Sequence, residues 1–247
     1  MKILFMGGKR IGCGCLQYLI ASEHKLVGVV INSCDVAANR WYPSACELAL
    51  RYDIPVFEWT DVNSPDALSS FRILAPDIII VIYFNQILKR QLINIPSKGC
   101  INLHLALAEE YRGCYPTTWA LLNDKRRTGV TLHYIDESID GGDIIAECEV
   151  LIEDDDTGRS LYEKCTDAGI QLFSNTLPAI VRGTVQARPQ DRTKGVYHRR
   201  VFPSQEVDFN KSGREIYNHI RATLFEPYPP PYFYIGEQKY EIKKAIK

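Results

Sequence analysis

Asp77-Ile78-Ile79-Ile80-Val81-Ile82 is the most apolar run in this chain, and its reading decides the fold. Side chains of a strand point alternately to opposite faces. An uninterrupted β-branched run therefore suits a strand covered on both faces, as parallel strands are by their crossover helices. The same grammar repeats on either side of it. Upstream, Lys2-Ile3-Leu4-Phe5-Met6 leads through Gly7-Gly8 into a helix-spaced set, Ile11, Cys15, Leu16, Leu19 and Ile20. Lys25-Leu26-Val27-Gly28-Val29-Val30-Ile31-Asn32 is a second buried-strand run, 43–51 and Asp66–Leu74 read as helices, and Ile54-Pro55-Val56-Phe57 reads as a short strand. This alternation predicts an α/β fold, doubly wound about a mostly parallel, Rossmann-like sheet, with ligands at the C-terminal ends of the strands.

Downstream, Lys89–Ile93 reads as a short helix, Gly99–His104 as a strand and Tyr115–Asn123 as a helix. Thr128–Ile135 and Ile144–Leu151 read as an antiparallel pair, and Ser160–Arg182 as a long helix stopping before Gly183. The polar, turn-rich stretch 184–206 marks a boundary. We therefore expect a main domain over 1–185 and a small C-terminal α+β subdomain over 186–247. The latter should hold a helix at Gly213–Ala222 and a hairpin of Phe233–Ile235 and Lys239–Ile242 joined by Gly236-Glu237-Gln238.

Composition excludes several classes. The 247 residues are 46% hydrophobic and 24% charged, enough for a full core and unlike a disordered chain. Lys plus Arg number 29 against 30 for Asp plus Glu, so no bulk field attracts a polyanion, and no nucleic-acid partner is expected. No apolar run reaches membrane-spanning length, and the N-terminal apolar segment is strand-length, which predicts a cytoplasmic protein with no membrane partner. The eight cysteines are scattered, only Cys13 and Cys15 lie close, and no Cys-x-x-Cys spacing offers a zinc site. They read as reduced thiols, with a Cys13/Cys15 redox pair as the alternative.

The Gly7-Gly8 turn, with Gly12 and Gly14, lacks the Gly-x-Gly-x-x-Gly order of a dinucleotide site. The second strand ends in Asn32-Ser33 where a ribose would want a carboxylate, which argues against NAD. The informative constellation is Asn102-Leu103-His104 at a strand end, with Asp140-Gly141-Gly142-Asp143 after the next strand. Alternation puts Asn102 and His104 on one face, polar where the core pattern wants apolar, at the edge where open α/β sheets bind ligands.

Asn102-Leu103-His104, Tyr111-Arg112-Gly113, Thr128-Gly129-Val130-Thr131 and Asp140-Gly141-Gly142-Asp143, in this order, resemble the folate-dependent formyltransferases. That family includes the methionyl-tRNA, glycinamide ribonucleotide and sugar N-formyltransferases. The similarity runs from Met1 to about Arg182 and continues through Val207-Asp208-Phe209, Ile220-Arg221-Ala222 and Pro227-Tyr228-Pro229. The resemblance implies a formyltransferase catalytic domain in 1–185, Asn102, His104 and Asp140 as catalytic residues, 10-formyltetrahydrofolate as formyl donor and no metal. Formyl transfer to an amine suits these residue types. An amide N–H can donate to a developing oxyanion, and imidazole, titrating near neutral pH, can take the amine's proton. Asp140 could orient the imidazole, hold a water or relay the proton.

Folate is implied beside Tyr83, Phe84, Gln86, Ile87 and Leu88, and beside Asp136, Ser138 and Ile139; Ile87 and Leu88 read equally as an apolar cap on the next helix. Gly7, Gly8, Lys9 and Arg10, with Tyr197, Arg199 and Arg200, are the implied acceptor contacts, the two arginines reading equally as part of a solvated connector. Arg112 serves as readily to anchor its loop as to touch a ligand, and Trp119 reads as core. Within the family, three departures point to the sugar enzymes. His104 is followed by Leu105-Ala106-Leu107-Ala108-Glu109 rather than Pro-Ser-Leu-Leu-Pro, the chain continues past the long helix where the purine enzymes end, and it stops at Lys247 without a basic barrel for tRNA. The expected acceptor is a nucleotide-linked amino sugar, of the dTDP-4-amino-4,6-dideoxyglucose type. The aromatic tail, with Phe225, Tyr228, Tyr232, Phe233, Tyr234 and Tyr240, predicts a homodimer through the C-terminal region.

Overall fold

A computed structural model describes residues 1–36 and 40–244, so the last three residues of the expected C-terminal subdomain, 245–247, lie outside the described residues. The apolar runs become β1 (Lys2–Gly7), β2 (Lys25–Ile31), β3 (Val56–Glu58), β4 (Ile78–Ile82) and β5 (Cys100–His104), which pair in parallel. A three-residue strand β6 (Tyr111–Gly113) follows, and then β7 (Arg127–Tyr134) and β8 (Ile144–Leu151) add to the sheet antiparallel. The seven-stranded sheet has the order β3-β2-β1-β4-β5-β7-β8, so the chain reverses its direction of build-up at the β1–β4 junction. Such a switch point opens a crevice at the strand ends.

Period-two alternation divides the core between the two faces. On β1, Ile3 and Phe5 face one cluster and Leu4 and Met6 the other; on β4, Ile78, Ile80 and Ile82 oppose Ile79 and Val81. The first face is covered by α1 (Lys9–Ile20), through Ile11, Leu16 and Leu19, by α2 (Ala45–Arg51) and by α6 (Gly158–Arg182), through Leu161, Phe173 and Leu177. The second face is covered by α3 (Pro65–Leu74), through Leu68 and Phe71, and by α4 (Arg90–Ile93). Thr157 caps α6 by accepting from Ser160 N–H at 3.1 Å, and Gly183, at φ 69°, ends it as the sequence predicts. The β1–α1 turn needs Gly7: φ is +150°, and a Cβ there would overlap the Ile82 carbonyl.

The polar stretch 184–206 holds β9 (Val196–His198), which pairs in parallel with β6. Neither strand was legible, because three partly polar residues carry no period-two signal. After it, α7 (Gly213–Thr223) packs on α5 (Pro116–Leu122). The fully buried Arg221 donates through Nη1 to the Glu153 and Asp154 carbonyls at 3.0 and 3.2 Å, fastening that helix to the main sheet's end. The hairpin is β10 (Tyr232–Ile235) with β11 (Gln238–Glu241); its turn is Gly236-Glu237 alone, because Gln238 already pairs with Ile235. All the cysteines are free thiols, and burial pushes Cys13 up to about 12, an unreactive environment for the proposed redox pair. Among the described residues no helix is long and apolar enough to cross a membrane, and no group of three or more His, Cys, Asp or Glu is placed to hold a metal ion.

Candidate active site

β5 lies where parallel pairing changes to antiparallel, so its C-terminal residues meet neighbours of different origin on each side. Asn102 sits opposite Val81 of β4 and opposite His133 of β7. Its Nδ2 donates to His133 Nε2 at 3.0 Å and to Asp140 Oδ1 at 3.2 Å. His133 Nδ1 lies 2.7 Å from the Tyr134 carbonyl, which fixes the proton there and leaves Nε2 as the acceptor for Asn102. His104, 7% exposed, holds Nε2 at 3.0 Å from the Tyr111 carbonyl, while Nδ1 faces Asp140 Oδ2 at 3.7 Å. The proton of neutral His104 is thus held on Nε2, and the Nδ1 lone pair faces the carboxylate.

Asp140 joins these groups. Its Oδ2 also accepts the Gly113 N–H at 2.8 Å, and its Oδ1 lies 3.7 Å from His133 Nε2. Burial opposes ionisation of this carboxyl, yet the positive charge that His104 and then His133 carry when protonated, together with the Gly113 N–H, outweighs it and holds Asp140 well below the usual carboxylate range. Asp140 therefore meets both of the other residues singled out from sequence, Asn102 and His104, and His133 is a further neighbour that was missed. Its signal was present: Thr131 and His133 share a face of β7, a second polar pair on a core strand.

The backbone marks the same place. Lys9 (φ 62°), Tyr83 (φ 57°), Tyr115 (φ 58°) and Asp140 (φ 50°) are left-handed without being glycine. Lys9 follows β1, Tyr83 follows β4, Tyr115 follows β6 and Asp140 follows β7, on loops around the crevice, whereas the other left-handed non-glycine residues among those described, Asp53, Ala75 and Asp124, lie at helix C-termini.

The expected folate residues divide into two kinds. Tyr83, Ile87 and Ile139 stand exposed, at 43%, 65% and 39%, at the strand ends. Phe84, by contrast, is partly buried against the second core cluster, and Leu88 is buried within that cluster. Gln86 spends its amide on the backbone, Oε1 accepting from Val62 N–H at 2.9 Å and Nε2 donating to the Trp59 carbonyl at 2.7 Å. Asn32, the residue that closes β2 in place of an acid, ties the same loop by donating to the Tyr83 carbonyl at 3.0 Å and accepting from Asn85 N–H at 2.9 Å. Asp136 accepts from the Ser138 N–H and hydroxyl and pairs with Arg192. Beside it, an open cleft runs between Arg90–Asn94 and Ile135–Ser138.

The expected acceptor residues divide likewise. Arg10 is occupied by Glu163 and Asp167 of α6, at 3.0 and 2.6 Å. Lys9 has no ion-pair partner among the described residues; its Nζ lies over the Tyr42 ring at 3.7 Å and near the Trp41 ring at 5.6 Å. Trp41 belongs to an aromatic group with Tyr162, Phe225 and Tyr228, which reaches Tyr83 through Tyr162 at 6.1 Å between ring centres. Pairing of β9 with β6 brings Tyr197 against Gly113, and burial pushes the Cys114 thiol up although the nearby Arg200 acts against it. Arg199 is exposed at the end of that strand. Arg112 donates to the Lys194 carbonyl at 3.0 Å and so anchors this segment, and Trp119 stacks on His198 at 4.0 Å.

Comparison with known proteins matches residues 1–177 to the Formyl transferase family and residues 203–247 to its C-terminal domain. The chain is 34% identical over 250 residues to the methionyl-tRNA formyltransferase of Bacillus subtilis (strain 168), covering 100% of this chain and 78% of that protein. The fold is similar to the N-formyltransferase of Helicobacter canadensis, solved with folinic acid and dTDP-3-aminofucose, with a TM-score of 0.83 and 26% identity over 99% of this chain and 87% of that one. It is also similar to WlaRD, a sugar 3N-formyl transferase solved with dTDP and 5-N-formyl-THF, with a TM-score of 0.82 and 25% identity over 99% of this chain and 85% of that one.

Proposed function

The chain belongs to the formyl transferase family, and from that premise we propose that it moves a formyl group from 10-formyltetrahydrofolate to the amine of a nucleotide-linked amino sugar, in the cytoplasm. The observation that carries the acceptor class is Lys9, a cation next to the glycine turn that has no ion-pair partner among the described residues and lies over Tyr42 and near Trp41, whose ring packs on Tyr228. A diphosphate needs such a cation and a flat base needs such rings. Likeness to two sugar enzymes over most of their length supports the same reading. Its preferred acceptor is a dTDP-linked 4-amino-4,6-dideoxy sugar.

The folate loops fit their ligand. Tyr83, Ile87 and Ile139 offer exposed apolar surface to a flat ring system, while Gln86, Leu88 and Asp136 hold the loops that carry them. When bound there, the folate supplies an electrophilic formyl carbon and, in N10, the leaving nitrogen. The acceptor amine forms the new C–N bond and gives up a proton, and the C–N10 bond breaks with a proton delivered to N10. Asn102 stabilises the oxyanion of this transfer by turning its longer, 3.2 Å bond away from Asp140, since both amide hydrogens are otherwise committed. His104 Nδ1 takes the amine's proton, and the resulting imidazolium pairs with Asp140 across the present 3.7 Å gap. Asp140, held ionised, orients and stabilises that cation.

A second reading, formylation of methionyl-tRNA, is favoured by 34% identity to the Bacillus subtilis enzyme. Incubation with 10-formyltetrahydrofolate and a panel of dTDP-, GDP- and UDP-linked amino sugars, read by mass spectrometry for one added formyl group, tests the choice. Turnover of a sugar is expected; turnover of charged initiator tRNA with none of any sugar overturns the proposal. We also propose a homodimer through the C-terminal region, where Tyr234, Ile235 and Tyr240 are exposed; a monomer mass by static light scattering at micromolar concentration removes it.

A further inference from the structure

The segment that follows α6 carries little regular structure, yet it grips both loops of the site. Arg188 exchanges both backbone hydrogen bonds with Ile144, at 2.8 and 2.9 Å. Asp191 N–H donates to Glu109 at 2.7 Å, Arg192 pairs with Asp136 at 2.5 Å, and the His198 carbonyl accepts from Cys114 N–H at 2.9 Å. Between these contacts lies Gln190. It is 8% exposed, and its Nε2 donates to the carbonyls of Asp140, at 2.9 Å, and Gly142, at 2.6 Å. Two carbonyls can be satisfied only by N–H groups, so the amide's orientation is fixed by its partners.

The loop needs such an anchor. A Cβ at Gly142 would overlap the Tyr134 carbonyl, so close packing demands glycine there, while one at Gly141 would press on the Ser138 hydroxyl. Glycines leave a turn conformationally soft. Asp140 just before them is left-handed, a state that persists in a non-glycine residue only where its surroundings over-determine it. The carboxylate is held from the front by Gly113 and Asn102, but the backbone that carries it is held by Gln190, which bridges the carbonyls on either side of Gly141. Gln190 keeps its own Oε1 buried without a partner among the described residues, an unfavourable arrangement for a residue that only filled space.

We propose that Gln190 is a positioning residue, which clamps the Asp140–Gly142 turn so that the Asp140 carboxylate stays between His104 and Asn102. This rests on the catalytic role given to Asp140 above. It does not depend on which amine is the acceptor.

Gln190→Met and Gln190→Glu, compared with the wild type on whichever acceptor the wild type uses, test it. Gln190→Met should lower kcat by about 10- to 100-fold, as expected for a misplaced reacting group, with both KM values within about threefold. A glutamate in this place regains one donor when protonated. The activity of Gln190→Glu relative to wild type should therefore rise as pH falls from about 8 to about 5.5, while the Met ratio stays flat. A loss confined to KM, or a flat Glu ratio, overturns the proposal. If Gln190→Met does not fold, the Glu ratio alone decides. Hydrogen exchange gives a readout that needs no acceptor: peptides over 136–144 should exchange at least ~10-fold faster in the Met variant, with those over β1 and α1 unchanged. Unchanged exchange over 136–144 also overturns it. Faster exchange with no sugar turnover in the wild type counts against the sugar reading alone.

Discussion

β4 and β5 lie side by side in one sheet, are five residues each, and are almost equally buried, yet one is inert and the other carries the candidate site. β4 has parallel neighbours on both edges, and every side chain it offers is apolar. β5 has a parallel neighbour on one edge and the antiparallel β7 on the other, and it offers Asn102 and His104. A polar group at such depth is costly unless paired. β7 makes the difference by placing His133 directly across from Asn102, and the loop beyond β7 returns Asp140 to both. A core strand tolerates chemistry only where a second element brings partners.

The severest way to break this comparison is to move the amide next door. Ile80→Asn leaves an amide fully buried among apolar side chains, and should cost about 4 kcal/mol or more from lost packing and an unpaired polar group, read as a drop in the urea midpoint. Retained stability would mean that β4 can find partners after all. On β5 the loss should appear in turnover instead. His104→Ala and Asp140→Ala should each reduce kcat by at least ~100-fold while folding is retained, the size of general acid/base effects. Full activity in either variant sinks the mechanism.

A milder probe is acid. Asp140 has a depressed folded value, so its stabilisation is complete above the unfolded carboxylate value of ~3.9 and is lost as pH falls below that through the folded value. The gap in urea midpoint between wild type and Asp140→Asn should therefore be present in full above about pH 4 and shrink as pH falls below it. A gap that stays constant as pH falls below about 4 contradicts the ionised state assigned to Asp140. The smallest effects belong to the acceptor side. Lys9→Ala should raise the KM for the nucleotide sugar by about fivefold with kcat little changed, as for one charge-assisted contact. Arg10→Ala should leave that KM alone and cost at most about 1 kcal/mol, because its partners Glu163 and Asp167 form a partly exposed pair. Equal KM effects from the two would return Arg10 to the site.

Much of this architecture was legible. Unbroken runs such as Ile78–Ile82 fixed the buried strands, and Gly183 stopped the long helix, because burial on both faces and left-handed backbone each demand particular residue types. Asn102 and His104 announced themselves by breaking the pattern of a core strand. Gln86 and Leu88, although correctly placed in the loop after β4, turned out to serve the loop's own packing, a distinction that depends on contacts with Trp59, Val62 and the second core cluster. Lys9 and Arg10 are adjacent cations, and nothing local separates the one over aromatic rings from the one paired on α6.

The sequence by itself thus determined the doubly wound sheet, through periodicity, and the family, through motifs each a few residues long, and the family resemblance implied that Asn102, His104 and Asp140 share one site. Only the tertiary structure decided the partners that arrive from far along the chain. His133 comes from the antiparallel β7, Gln190 from the stretch after α6, and Trp41 and Tyr228 from segments far apart in the chain whose rings meet. Hydrogen bonding and ring packing act through space, so a side chain's role there depends on which loop is folded beside it, and local sequence carries no record of that.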